Sequence, residues 1–423
     1  MSVTETSAAA AGAGNTPSRA VRFIGAERDY WRIRVRGAVL LMLTLGIYRF
    51  WLATDVRRFL WAHTSIDGES LEYSGTAIEL LQGFLVAIAL ILPVYIVFVI
   101  TVLDLGAFGN ALSTSAVLVL VFLSQYGIYL ARRYRLTRTV LRGVRFQQTG
   151  SALRYSLCAV WWWTLAVLTL GLAYPFARAA LERFKMRHTY YGDLPGRFEA
   201  VGWRLFVRGF LMWLAVTIPL LAALLSLLLA NWQGVSDGSK DGGDILERME
   251  QTNPGLLAAI GFAIVMLGVC LILIALLLPV FHAMVMRWWV AGLRFGTIVA
   301  VSHLRTRDVY RAYLRFAGYL LLFTLVMLLG VFLALFFIGL TVGSGESQAA
   351  EIVTVMMLVG IYVASVLGLT TLYQGIVSLS VWRLTAESVE LSDTGPLSRV
   401  NASGEASSPL GEGIADILNL GGI

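Results

Sequence analysis

The chain has 423 residues, of which 58% are hydrophobic and only 14% charged, with a net charge of +7. A soluble domain carries about 25% charged residues, so the composition excludes a basic nucleic-acid binder and points to a polytopic helical membrane protein. The two cysteines, Cys158 and Cys270, both lie in apolar runs and exclude a disulfide framework.

In chain order, residues 1–18 predict a disordered tail that lacks the basic and apolar regions of a secretory signal. Eight apolar segments follow, at about 35–53, 80–103, 113–131, 155–176, 208–230, 256–282, 314–341 and 352–379. Runs such as LLQGFLVAIALILPVYIVFVITVL (80–103) exceed the roughly 18 residues that read as a membrane span. From 392 to 423, Ser, Gly and acidic residues predict a flexible C-terminal tail.

The basic residues constrain the topology. Loops rich in Arg and Lys stay in the cytoplasm. Segment 132–154 carries seven such residues, 177–208 seven and 286–315 six, whereas 104–112 and 342–351 carry none. Segments 132–154 and 177–208 flank one apolar stretch, 155–176. If that stretch crossed the bilayer, one arginine-rich loop would lie outside. The sequence therefore predicts that 155–176 enters and returns, or lies at the interface, and that both termini are cytoplasmic.

The phrase LTLG occurs at 43–46 and again at 168–171. At the same offset of 125, Arg58-Phe59 matches Arg183-Phe184, and His63-Thr64 matches His188-Thr189. Both 35–53 and 155–176 read as re-entrant helical hairpins bent at Gly46 and Gly171, where glycine permits a positive φ. Pro175 suits the start of the helix after the second bend. VRF (21–23), VRF (144–146) and LRF (293–295) open three related units, 19–142, 143–291 and a shorter 292–391 without a hairpin. RGVRFQ (142–147), AGLRFGT (291–297) and the Asp67-Gly68 turn predict short strands. The expected fold is an all-α polytopic membrane protein. It has six spanning helices, two re-entrant or interfacial helical hairpins, three pseudo-repeats and small cytoplasmic β elements.

RFIGAERDYW (22–31), LTLGIYRFW (43–51), DVRRFLWAHTSIDGESLEYSGT (55–76) and GLAYPFARAALERFKMRHTYYGDL (171–194) resemble the YjgN-type family of bacterial inner-membrane proteins. The domain of that family has no assigned function. The resemblance covers most of 20–391 and implies a multi-pass protein of the bacterial inner membrane. It hands no role to any residue.

No Walker-type loop, GxSxG, HExxH or CxxC motif is present, so no catalytic residue, metal ligand or cofactor is predicted, and an enzyme is the least favoured class. His63 and His188 could face one another, but capping or packing at a helix end is the favoured reading. Gln125 and Gln374 are candidates for a polar pathway or for helix–helix contacts. Arg132, Arg133, Arg135 and Arg183 are candidates for contact with anionic phospholipid. The WWW at 161–163 suits anchoring at the membrane interface. The expected partner is thus the lipid bilayer with its anionic lipid, and no nucleic acid; protein partners stay open, and a homo-oligomer is compatible with the sequence.

Two functions fit. A transport or channel-like module is favoured, because repeats with broken helices build many transporter sites. The alternative is a non-transporting membrane organiser that binds anionic lipid or a protein partner through its basic cytoplasmic face. A polar cavity lined by Gln125, Gln374 or the bends would favour the first, and a dry bundle the second.

Overall fold

The structure is a computed structural model that describes residues 21–102, 106–234, 254–342, 348–392, 394–402 and 408–417. The expected N-terminal tail lies outside these residues. Short strands appear wherever an arginine-rich connector separates helical runs. β1 (Val21–Phe23) precedes α1 (Glu27–Leu43) and α2 (Arg49–Ala62), which lead to β2 (Thr64–Ile66), β3 (Glu69–Ser70) and β4 (Glu72–Tyr73). α3 (Ala77–Val102) and α4 (Gly106–Thr137) lead to β5 (Thr139–Leu141) and β6 (Val144–Gln148). α5 (Ala152–Leu168) and α6 (Tyr174–Arg187) lead to β7 (Thr189–Tyr191) and β8 (Leu194–Phe198). α7 (Gly202–Gly234) and α8 (Pro254–Gly292) lead to β9 (Leu293–Phe295) and β10 (Ile298–Ser302). α9 (Thr306–Val342), α10 (Gln348–Tyr373), a π-helical turn (Gln374–Ser378) and α11 (Leu379–Ser388) end at β11 (Val389–Ser392). A 3₁₀ turn (Gly395–Ser398) and α12 (Leu410–Ile417) close the chain.

Strand pairing fixes the path of the helices. The antiparallel pairs β1–β2, β4–β5, β6–β7, β8–β9 and β10–β11 each bracket one helical excursion. A helical pair that leaves from one strand and arrives at its hydrogen-bonded neighbour returns to the side it left. The chain therefore makes five U-shaped excursions from one side. Two are short, α1–α2 and α5–α6. Three are long, and they contain the six helices long and apolar enough to cross a membrane. β4 to β11 form an eight-stranded antiparallel sheet, and β1, β2 and β3 a three-stranded one. The turns between paired strands use positive φ at both central residues, at Asp67-Gly68 (53° and 85°) and Arg142-Gly143 (53° and 75°), which matches the twist of a tight hairpin.

The two LTLG phrases adopt one conformation. Leu45 and Gly46 have φ of 49° and 93°, and Leu170 and Gly171 have 50° and 91°. Thr44 Oγ1 donates to the Leu40 carbonyl at 2.7 Å and accepts from the Tyr48 N–H at 3.0 Å. Thr169 Oγ1 donates to the Leu165 carbonyl at 2.8 Å and accepts from the Ala173 N–H at 3.0 Å. One hydroxyl thus serves the carbonyl end of one helix and the N–H end of the next, where the helices themselves leave those groups unpaired. α1 and α5 each have 17 residues, and α2 and α6 each have 14. The bend tips are apolar and open, with Leu45 94% and Leu170 58% exposed. Such tips suit a hairpin dipped into lipid.

The long helices pair as α3 with α4, α7 with α8 and α9 with α10. Between 0% and 22% of each candidate span's most apolar window is buried within the chain, so most of their side chains are left for lipid.

Part of the C-terminal region, for which composition predicts a flexible tail, packs against the rest of the chain. Leu397 and Val400 pack against Leu141, Val144 and Tyr191. The Asn401 backbone N–H and Nδ2 donate to the Asp193 carboxylate at 3.2 and 3.3 Å. α12 lies against α3 and α4, with Ile414 fully buried beside Ala87 and Ile91. Two glycines allow this approach: a Cβ on Gly413 would stand 1.9 Å from the Gly83 carbonyl oxygen. In LGEGIADI, Leu410, Ile414 and Ile417 share one helical face. That stretch is too short to register as an apolar run, and only the groove between α3 and α4 gives its face something to bury against.

Candidate functional site

The second hairpin carries the most unusual chemistry among the described residues. Tyr174, Arg178, Glu182 and Lys185 follow one another on α6 at spacings of four, four and three, so they share a face. That face turns inward toward α4, α5 and α8. Glu182 is 3% exposed. Its Oε1 lies 2.5 Å from Lys185 Nζ, and its Oε2 accepts the Trp289 indole N–H at 3.1 Å. Burial alone would raise the Glu182 carboxyl, but Lys185, Arg132 and Arg178 outweigh it and hold it at about 2. Burial pushes the Lys185 ammonium down to about 8, even with Glu182 beside it. Arg132 reaches into the same cluster from α4, where its Nη2 donates to Met186 Sδ at 3.4 Å. The Nε atoms of Arg132 and Arg178 are buried without a hydrogen-bond partner.

Beside this cluster, toward the bend, lies a groove of about 460 Å³. The bend supplies Leu170 to Leu172 with Tyr174 and Pro175, α7 supplies Phe206, Gly209, Phe210 and Trp213, and α8 supplies Leu277 and Phe281. The Trp213 indole N–H donates to the Leu170 carbonyl at 2.7 Å. That bond occupies the Leu170 carbonyl at the bend. Tyr174 packs its ring 5.9 Å from Phe281 and 6.0 Å from Trp163, so it stands between the groove and the charged cluster.

The residues singled out by sequence fall in different places. Gly46 and Gly171 lie in the two bends at positive φ, and Pro175 is the second residue of α6. Gly171 and Pro175 line the groove, but a Cβ on Gly46 would meet nothing within 4 Å. Gln125 is half-buried on α4, and its Nε2 donates to the neighbouring Ser124 Oγ at 3.4 Å. Gln374 opens the π-helical turn after α10, whose Gly375 packs against Trp31 of α1. Neither glutamine lines the groove. Of the four arginines, Arg132 turns into the buried cluster, Arg133 and Arg135 are half-buried at the end of α4, and Arg183 is exposed with Nη2 on the Ala200 carbonyl at 3.2 Å. His63 and His188 bond back to their own helices, each through Nδ1 at 2.8 Å from the carbonyl four residues earlier. Among the described residues no group of three or more His, Cys, Asp or Glu is placed to hold a metal ion.

Sequence reasoning missed Glu182, because segment 177–208 was weighed only by its basic residues. The available signal was a lone acid three residues before one of only two lysines in the chain. The matched position of the first hairpin, Arg57, is also buried, at 6% exposure.

The comparisons add a family and no activity. The inner membrane protein YjgN of Escherichia coli O157:H7 is 30% identical over 151 residues, which is 36% of this chain and 35% of that protein. The inner membrane protein YjgN of Escherichia coli strain K12 is 28% identical over 153 residues, with the same shares. The chain thus matches about a third of the length of these relatives. No solved structure matches. The family described as bacterial protein of unknown function, DUF898, matches residues 18–417, from before the first strand through the last helix. The chain therefore belongs to the DUF898 family of bacterial proteins of unknown function.

Proposed function

We propose that this is a lipid-binding protein of the bacterial inner membrane, which holds a phospholipid acyl chain in the groove between its second hairpin and α7–α8. The β layer lies on the cytoplasmic side. The observation that carries the reading is the groove itself. Its volume of about 460 Å³ is within the usual range for a small-molecule site, roughly 300–1,000 Å³, and its lining is apolar. The inner-membrane relatives support the location, and the arginine-rich connectors support the orientation. Arg133, Arg135 and Arg183 then attract anionic headgroups at the cytoplasmic surface.

A transport-like module would need a polar cavity beside the bends, Gln125 or Gln374. The cavity at the second bend is apolar and excludes both glutamines, which favours the non-transporting, lipid-binding reading. The test uses proteoliposomes that contain a phospholipid with a photoactivatable acyl chain. Crosslinks are expected to concentrate on α7 around Phe210 to Trp213, and to fall several-fold in Gly209→Leu, which adds a side chain at the groove wall. Equal labelling of all six spans, unchanged in that variant, would contradict the proposal.

A further inference from the structure

We infer that the cluster on α6 and α4 is an oxyanion site, built for the phosphate of the same phospholipid whose chain occupies the groove. The inference rests on the lipid-binding reading above and names the headgroup chemistry.

The charges do not balance. Among the described residues, Arg132, Arg178 and Lys185 surround Glu182, the carboxylate that acts on Lys185. Lys185 is satisfied by Glu182, and Glu182 by Lys185 and Trp289. Neither guanidinium has an oxygen partner among the described residues. Arg132 has the thioether of Met186 for one donor and no partner for its buried Nε. Arg178 has a buried Nε without a partner, and no hydrogen bond or ion pair joins its side chain to any described residue. The remaining neighbours are the phenols of Tyr155 and Tyr174, and the thiol of Cys158 beside Tyr155. None of these supplies a negative charge at neutral pH.

Arg132 and Arg178 are half-buried, and a guanidinium whose Nε is buried without an oxygen partner is costly. A guanidinium presents paired N–H donors that match the spacing of phosphate oxygens. An oxyanion held between Arg132 and Arg178 would offset the excess charge.

The position identifies the source. The groove begins at the bend and runs past Tyr174, and Arg178 stands one turn further along the same face of α6. The bend is the end of the hairpin farthest from β6 and β7, so it lies deepest in the bilayer. A phospholipid of the cytoplasmic leaflet points its chains toward the bend and its phosphate toward the β layer. Groove and cluster therefore follow one another in the order of tail and head.

The test compares additives to the detergent-purified full chain by thermal unfolding midpoint. The additives are phosphatidic acid, diacylglycerol with identical chains, and inorganic phosphate. Arg178→Gln is the variant, because Arg178 makes no hydrogen bond or ion pair with a described residue and its loss leaves Glu182 held by Lys185, Arg132 and Trp289. Phosphatidic acid is expected to raise the midpoint of the wild type, with apparent affinity at least about tenfold weaker in Arg178→Gln. Diacylglycerol should act more weakly and equally on both proteins, and inorganic phosphate should have no effect at millimolar concentration. If phosphatidic acid and diacylglycerol act alike on both proteins, the oxyanion site is overturned and the groove stands. If inorganic phosphate reproduces the full shift in wild type alone, the oxyanion site stands and its lipid source is overturned. If no additive acts, both the site and the groove reading fall.

Discussion

Arg57 and Glu182 stand at the same position of two matched hairpins, 125 residues apart, and each is buried with an opposite charge. Arg57 donates from Nη1 to the Tyr73 hydroxyl at 3.2 Å and lies 5.9 Å from the centre of its ring. Glu182 holds Lys185 and Trp289. The hairpins share their bends and helix lengths, so the difference lies in what each inner face carries. The first closes on an aromatic core, with Trp61 ring to ring with Tyr73 and Trp382. The second closes on ions beside an open groove.

Glu182→Gln should destabilise the protein by about 3–5 kcal/mol at neutral pH, the cost of leaving a buried partner charge unpaired. The sign follows from the two groups. Glu182 titrates at about 2 against an ordinary 4.5, so its contribution is full above pH 4.5 and is lost as the pH falls toward 2. Lys185 titrates at about 8 against 10.5, so folding disfavours its charged form, and stability rises as the pH climbs from 8 to 10.5. Unfolding midpoints of wild type and Glu182→Gln should therefore converge below pH 4.5. A constant gap down to pH 2 would show that the carboxylate charge is not what the site uses.

Thr169→Val should cost about 1–2 kcal/mol, because it removes both bonds of the hydroxyl at the second bend. Gly171→Ala should cost about 1–3 kcal/mol from its φ of 91° alone, since the added Cβ would meet only Trp213, at 3.6 Å. Thr44→Val and Gly46→Ala should cost the same at the first bend. Chemical denaturation in mixed micelles reads all four. A silent pair at either bend would mean that the two phrases do not close their hairpins alike.

The seat of α12 predicts a specific crosslink. With Cys158 and Cys270 replaced by Ala, Ala87→Cys and Ile414→Cys in one chain should join through a short bifunctional maleimide, because both side chains share one buried cluster. Adding Gly413→Val should abolish the crosslink, since no side chain fits 1.9 Å from the Gly83 carbonyl. A crosslink that survives Gly413→Val would place α12 elsewhere.

The parts of the fold that were legible in the sequence are those fixed by local rules. Span length, the LTLG bends and the Asp67-Gly68 turn follow from hydropathy and from the few residues that accept positive φ. The return of 155–176 followed from counting basic residues on either side of it. The site was not legible, because composition cannot say which way a charged side chain turns. Arg132 sits in a run of arginines that reads as a surface, yet it points into the cluster with Glu182. The groove was equally hidden, because it forms where residues near 171, 209 and 277 meet. The seat of α12 depends on Gly83, more than 300 residues earlier in the chain.

The central claim is that every helical excursion begins and ends on one cytoplasmic β layer. Single cysteines at four exposed strand positions test it most directly: Arg22→Cys before the first hairpin, Glu72→Cys after it, Arg197→Cys after the second and Val301→Cys before α9. An impermeant maleimide should label all four in inside-out vesicles and none in intact spheroplasts. If Arg22→Cys and Glu72→Cys label from opposite sides, or Arg197→Cys labels in spheroplasts, the hairpins cross the membrane and the account is contradicted.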